Sequence, residues 1–219
     1  MPQRIFFYLT IFLLAGGCYV PDLSNPNVFE EAMETSIDLD SLNRKFMFGM
    51  LYLYVNEDDT PFSGWVKTKH SNNRINKLGY LKSGMKEGLW ITWDENQSKL
   101  SEIHWTEDRM EGKLTFWHPN GQAKTIGLAT DGEVDGNWTD YYSSGQIAAK
   151  SSNRLGHLVN LSTWKPDGSK CPQSGVKDGN GVFYEYHEDG SKFRQRTFKN
   201  GIETKRINYV KSASTSKTD

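Results

Sequence analysis

The chain has 219 residues, with 26 Lys and Arg against 27 Asp and Glu, for a formal net charge of −1. Aromatic residues make up 13%, seven of them Trp, yet the mean hydropathy is −0.67. A near-neutral chain lacks the basic surface that displaces counterions from nucleic acid, which speaks against a nucleic-acid partner. Many aromatics on a hydrophilic average suit strands with one aromatic and one polar face.

In chain order, residues 1–17 read as a signal peptide. Arg4 precedes the apolar stretch Ile5 to Leu14 and the small residues Ala15-Gly16-Gly17. That stretch is shorter than the roughly 20 residues a permanent span needs. It ends on Cys18, and Leu14-Ala15-Gly16-Gly17-Cys18 resembles a bacterial lipoprotein signal. The resemblance implies lipidation of Cys18 and a place in the cell envelope, at the outer membrane or the periplasmic face. Residues 18–45 hold Pro21, Pro26 and many small polar and acidic residues. They read as a flexible tether, with Val28 to Met33 suited to a short helix. Phe46 to Val55 is apolar and aromatic and is expected to form the first strand.

The repeats begin here. Gly64, Gly88, Gly112 and Gly136 stand 24 residues apart, and the slot continues at Asn160 and, slightly early, at Gly181. A period of this size marks one supersecondary unit stacked on its copies. Each unit holds two turn signals. Asn120-Gly121 and Ser144-Gly145 belong to one row, and Asp108-Arg109, Asp131-Gly132 and Asn200-Gly201 to the other. Such pairs tolerate positive φ and suit tight hairpins. The expected fold is all-β: an elongated antiparallel meander of ~24-residue hairpin repeats in a single sheet over residues 46–206. Residues 166–181 contain Pro166, Cys171 and Pro172 and form the expected break in the array; residues 207–219 read as a disordered tail.

The aromatics follow the same period. Trp90 and Trp93, Trp117, Trp138 and Tyr141, then Phe183 and Tyr186 occupy equivalent slots and should stack as ladders across the sheet. Each buried ring removes roughly 150–250 Å² from water, on the order of 4–6 kcal/mol before entropy. A spacing of three between paired aromatics requires either a bulge or aromatics on both faces. Glycine at Gly64, Gly88, Gly112, Gly136 and Gly181 permits a bulge or a close approach.

Gly88-Leu89-Trp90-Ile91-Thr92-Trp93, Gly136-Asn137-Trp138-Thr139-Asp140-Tyr141 and Asp131-Gly132-Glu133-Val134-Asp135-Gly136 resemble the MORN-variant repeat of the bacterial YwqK-like family, several members of which carry an antitoxin label. The resemblance covers about residues 50–206. It implies a repeat fold and assigns no catalytic residue.

Catalytic and metal signals are weak. His70, His104, His118, His157 and His187 share no ligand spacing, and His118 and His187 sit before equivalent turns. Asp131, Glu133 and Asp135 imitate the start of a calcium loop, but the twelfth position is Tyr142 instead of Glu. Cys171 has no His near it in sequence and lies in a Pro-rich stretch. The expectation is therefore a non-enzymatic chain with no cofactor and no metal. It would be a lipid-anchored binding or scaffold module for a protein or a surface polymer, touching the membrane through its N-terminal lipid only. The family label adds an alternative, a neutralising partner for a toxin. An enzyme acting on envelope glycans would need paired carboxylates, which the sequence does not display.

Overall fold

The computed structural model describes residues 20–47 and 51–210. The expected signal peptide, Cys18 and residues 211–219 lie outside the described residues. Helix α1 (Pro26–Thr35), the two-residue strand β1 (Ile37–Asp38) and a 3-10 turn (Leu39–Ser41) come first. β2 (Asn43–Met47) and β3 (Leu51–Val55) pair with each other in a small sheet of their own. The repeats follow as β4 (Gly64–Lys69), β5 (Ile75–Lys82), β6 (Met85–Trp93), β7 (Lys99–Thr106), β8 (Arg109–Trp117), β9 (Ala123–Thr130) and β10 (Glu133–Tyr141). They continue as β11 (Ile147–Arg154), β12 (His157–Trp164), β13 (Lys170–Lys177), β14 (Asn180–Tyr186), β15 (Lys192–Lys199) and β16 (Ile202–Asn208). From β4 to β16 every strand pairs with the next in chain order, and β1 joins the β4 edge in parallel. The result is one long, open, mixed sheet of 14 strands.

Two kinds of turn generate this meander. Along one edge the turns are two-residue and hold positive φ at both positions, as in Asp131 (53°) with Gly132 (86°) and Asn200 (51°) with Gly201 (79°). That geometry matches the twist of paired strands. The turn expected at Asp108-Arg109 is centred one residue earlier, on Glu107 and Asp108 (49° and 63°). Along the other edge each turn ends in a single residue at positive φ, such as Asn73, Gln97 or Gly121. Bulges accompany those turns, between Thr92 and Trp93, Phe116 and Trp117, and Asp140 and Tyr141.

The turns also join unit to unit. At the two-residue edge, the N–H groups of Glu107, Asp131 and Leu155 donate to carboxylates of Glu87 (3.0 Å), Glu111 (2.8 Å) and Asp135 (3.1 Å) in the preceding unit. The next N–H in each turn donates to a backbone carbonyl of that unit, as Gly132 does to Met110 (3.0 Å) and Gly156 to Val134 (2.9 Å). The acidic residue before Gly88, Gly112 and Gly136 is therefore a fixed acceptor for the following turn, a part played by Ser63 Oγ before Gly64 and by Asn180 Oδ1 before Gly181. At the opposite edge His70 Nε2 lies 2.9 Å from Trp93 O, and His118 Nε2 lies 2.8 Å from Tyr141 O.

The spacing glycines serve a wide bulge. Leu78 pairs with Ile91 and Tyr80 with Glu87, so Gly88, Leu89 and Trp90 stand opposite the single residue Gly79. Gly88, Gly112 and Gly136 adopt φ of 68°, 85° and 66°. A Cβ on Gly112 would meet nothing within 4 Å, so backbone conformation rather than crowding requires glycine there. Gly79 and Gly127 are the crowded ones: a Cβ at either would lie 2.1 Å from the indole of Trp90 or Trp138. Each indole lies across its glycine and donates Nε1–H to a carbonyl beside it, Tyr80 O at 3.2 Å and Leu128 O at 2.8 Å.

Cross-strand partners project to the same side, so the register separates an inner and an outer face. Trp90, Leu114, Trp138 and Phe183 lie on the inner face, while Leu89, Ile91, Trp93 and Trp117 lie on the outer one. The spacing of three is thus met in both expected ways, with aromatics in rows on opposite faces and a bulge beside the second aromatic.

At the first units both faces are covered. Val28, Phe29, Ala32 and Met33 of α1 pack on Trp65, Leu78, Leu89 and Ile91 of the outer face. Leu39, Leu42, Tyr54 and Phe62 cover Val66, Leu81 and Trp90 on the inner face. Residues 20–45 are accordingly a terminal cap, not a tether: Leu23 is 3% exposed and Ala32 is 0% exposed. The apolar positions of α1 occur at helical spacing over ten residues, Asn25 caps its start, and Lys67 Nζ donates to Met33 O at its end. The expected single strand over residues 46–55 is part of the β2–β3 pair. The expected break at 166–181 holds strand β13, and Ile207 and Asn208, assigned to the tail, complete β16.

Gly79→Ala should destabilise the fold by about 1–3 kcal/mol through displacement of Trp90. Gly112→Ala should lose about 1–2 kcal/mol from left-handed backbone alone. Urea unfolding of both variants checks this, and Trp emission should shift in the first and not in the second.

Candidate functional site

Beyond the capped units the inner face is open, and here the sheet curls on itself. The N–H of Ser143, in the β10–β11 turn, donates to Glu188 Oε1 of the β14–β15 turn at 2.8 Å. At the other edge the N–H of Leu158 donates to Gly201 O at 3.2 Å. Ala149, Leu158, Val176, Phe183 and Phe198 form one buried cluster from five successive strands, β11 to β15. The curl leaves a cleft of about 450 Å³ between β10–β12 on one wall and β14–β16 on the other. Trp138, Leu161, Phe183 and Phe198 supply its apolar lining; Asp140, Glu185, Arg196 and Glu203 supply its charge.

Strand alternation explains the arrangement. Phe183 and Glu185 face inward from β14, opposite Arg196 and Arg194 on β15. Glu203 on β16 stands beside Phe198. The Arg196 guanidinium lies 5.1 Å from the centroid of Phe198 and 5.8 Å from that of Phe183, and its Nη2 is 2.7 Å from Glu203 Oε2. Arg206 also donates to Glu203. The Arg206 hydrogen bond first, with the Arg196 contact, holds the Glu203 carboxyl down at about 2. Glu185 Oε2 is buried 3.3 Å from Arg194 Nη1 and makes no hydrogen bond, so its partner there is Coulombic.

Asp140 differs. It projects inward from β10, and Thr125 Oγ1 donates to its Oδ1 at 2.7 Å. Burial raises its pKa, against the opposing effects of Thr125, Lys124 and Arg196. Just past the end of β10 and outside the cleft lining, the Tyr142 hydroxyl donates to Trp164 O at 2.9 Å, and burial pushes its pKa up to about 12. The cleft thus offers aromatic surfaces, two arginine–carboxylate pairs and one poorly solvated carboxylate, a combination suited to gripping a ligand with both apolar and polar groups.

Of the expected ladder residues, Trp138 and Phe183 line this cleft; Trp90 is buried under the cap, and Trp93 packs against Phe29 of α1 with ring centroids 6.2 Å apart. Gly64 and Gly181 have φ of 155° and 149°. The calcium-like triplet is dispersed: Asp131 pairs with Arg109 at 2.8 Å and Asp135 accepts from Leu155. No cluster of three potential metal ligands occurs among the described residues. Cys171 is buried with Sγ 3.0 Å from Tyr186 OH. Asp140, Arg194, Arg196 and Glu203 escape a reading of the sequence. For Arg194 and Arg196 the only signal is alternation within single strands, Phe183-x-Glu185 and Arg194-x-Arg196-x-Phe198; Asp140 and Glu203 have none, and nothing in the sequence shows that the sheet folds back.

The MORN repeat variant family matches residues 134–152 and 180–200. These are the hairpins β10–β11 and β14–β15, the two walls that face each other across the cleft. The chain therefore carries MORN-variant repeats, a class that generally mediates protein or membrane interactions. A search of curated proteins finds no match.

Opposite pH signatures are expected in the cleft. The folded state raises the Asp140 pKa above 3.8, so its penalty is absent in acid and grows as the pH rises through and beyond that value. Asp140→Asn should raise the Tm at pH 7, with the gain vanishing below about pH 4. Glu203 behaves inversely. Its stabilisation is full above 4.5 and is lost as the pH falls toward about 2. Glu203→Gln should lower the Tm at pH 7, with the difference shrinking through that window. Thermal melts from pH 2 to 8 test both signs.

Proposed function

We propose that this protein is a non-catalytic binding module, exported and lipid-anchored at Cys18, that holds a protein partner or a surface polymer in its inner cleft. The curl of the repeat sheet carries this reading. It leaves one end of the aromatic inner face uncovered, with charged groups fixed in place, where the other end is closed by its own cap. Repeat sheets of this kind present surfaces, and the motif itself holds no reactive side chain. The carboxylates Glu185 and Glu203 face arginines, and Asp140 accepts from Thr125, which favours a gripping role over acid–base turnover.

The anchor reading rests on Leu14 to Cys18. Val20 is already packed, with its Cγ1 where a Cβ on Gly88 would lie within 2.8 Å. Tyr19 alone separates it from Cys18, a reach of roughly 7 Å at full extension. A lipid on Cys18 would hold the capped end close to the bilayer, with the cleft at the far end of the sheet.

Two measurements test the proposal. Mass spectrometry of the mature protein should find an N-terminal, acylated Cys18; an unprocessed chain would remove the anchor. A photo-crosslinking side chain at Ser151, inside the cleft, should give a discrete heavier adduct in cells, and the same group at exposed Glu57, in the turn after β3, should not. Absence of any adduct at Ser151 would refute the cleft as the binding surface.

A further inference from the structure

Two units of this repeat share a tryptophan slot. Trp90 and Trp138 stand 48 residues apart, each lying across a strand glycine. The register around them is the same. Leu81 pairs with Lys86 as Ala129 pairs with Val134, and Gly88 pairs with Trp105 as Gly136 pairs with Asn153. In the first unit the chain places its own cation on the indole: Lys86 Nζ lies 5.3 Å from the ring centroid of Trp90 and 4.2 Å from that of Trp105. Asp108 supplies a negative charge beside it, its Oδ1 accepting the Lys86 backbone N–H at 2.9 Å. In the cleft the corresponding positions hold Val134 for Lys86, Asn153 for Trp105 and Gly156 for Asp108. Each is smaller than its counterpart, and all three line the cleft with Trp138. The unit between has no such slot, because Leu114 replaces the indole and is 2% exposed.

Charge changes in the opposite sense. Thr92 of the first unit is tied to Ser101, hydroxyl to hydroxyl at 2.6 Å; its counterpart in the cleft is Asp140, two residues past Trp138 and on the same face. Glu185 and Glu203 are held by Arg194, Arg196 and Arg206, whereas Asp140 joins no ion pair among the described residues. Thr125 takes up its Oδ1, and Arg196 stays on Glu203 and the two phenylalanine rings. The first unit therefore carries a cation, and the cleft offers the same indole, the vacated room and a carboxylate in its place. On the reading of the cleft as a binding surface, we propose that it takes the ammonium of a lysine side chain from a partner protein, seated on Trp138 and against Asp140. An ammonium on a four-carbon stem is what Lys86 itself supplies, and Val134, Leu158 and Leu161 offer that stem apolar surface. This favours the protein partner over the surface polymer.

The probe is the peptide Ala-Ala-Lys-Ala-Ala, blocked at both ends and titrated into the purified full chain while the indole N–H signals are followed by NMR. The Trp138 signal is the one lost in Trp138→Phe. It should shift and saturate with the lysine peptide, and stay in place when the lysine is Nε-acetylated or replaced by norleucine, which keep the stem and lose the charge. Asp140→Asn should weaken the response by roughly tenfold or more. Val134→Lys returns the chain's own cation to the indole and should abolish the response while melting as wild type does; should it not fold, Asp140→Asn alone decides. No shift with the lysine peptide, an equal shift with the uncharged peptides, or an undiminished one in Asp140→Asn would each overturn the proposal. A tighter response to glucosamine than to the lysine peptide would overturn it too, by assigning the site to an amine-bearing polymer. The two readings fail separately. A Ser151 adduct that survives in both Val134→Lys and Asp140→Asn keeps the cleft and removes the lysine, whereas no adduct in the wild type removes both.

Discussion

The structure depends on how a two-residue turn disposes of its N–H groups. Both donors point away from their own hairpin, and left unpaired they would have only water. The preceding unit supplies both acceptors, a side-chain oxygen one residue before the spacing glycine and a backbone carbonyl nearby. A single hydrogen bond of this kind contributes about 0.5–1.5 kcal/mol, more to a charged acceptor. Repetition along the edge matters more than any one bond, because each turn can close only against a correctly placed predecessor. That condition fixes the 24-residue step and prevents register slippage between flat, polar strands.

Much of this was legible in sequence. The glycine period and the two rows of turn residues specify hairpins in series, and the acidic residue before Gly88, Gly112 and Gly136 is visible as part of the repeat. Its purpose is not visible, which is why Asp131, Glu133 and Asp135 imitate a metal loop. The pairing of large with small residues was present but easily passed over. Gly79 with Trp90, Ile103 with Leu114, and Gly127 with Trp138 occupy equivalent slots 24 residues apart, and the tryptophans occur where the neighbouring strand has glycine. A Trp over a strand glycine replaces packing that the missing side chain cannot supply.

Other features were hidden for physical reasons. The cap over residues 20–45 is mostly polar, and its helix has only a few apolar positions, so it reads as linker until the face it covers is known. It exists because the first units have no predecessor to bury their aromatics, the general need of terminal repeats. Leu39 and Val66, or Ala32 and Leu78, meet only because a chain entering from one end wraps both sides of β4 and β5. The cleft residues were hidden more deeply, since they converge from hairpins about 45 residues apart.

The cleft arises where the repeat fails. Asn160 replaces the spacing glycine, and Pro172 stands in β13 without an N–H to give. β13 pairs with β14 through only three residue pairs, Gly175 with Val182, Val176 with Gly181, and Lys177 with Asn180. Above them Ser174 Oγ takes the N–H of Tyr184 at 2.7 Å, a side chain standing in for a missing ladder carbonyl. The β12–β13 ladder also has only three residue pairs, so the sheet is weakly joined on both sides of β13, and this strand is where it can bend most sharply. Bending brings β14–β16 over β10–β12 and buries Phe183 and Phe198 against Ala149 and Leu158. Regular units build the length of the molecule. The irregular one closes part of that length into a cleft, and restoring the regular spacing there would straighten the sheet and open the cleft to solvent.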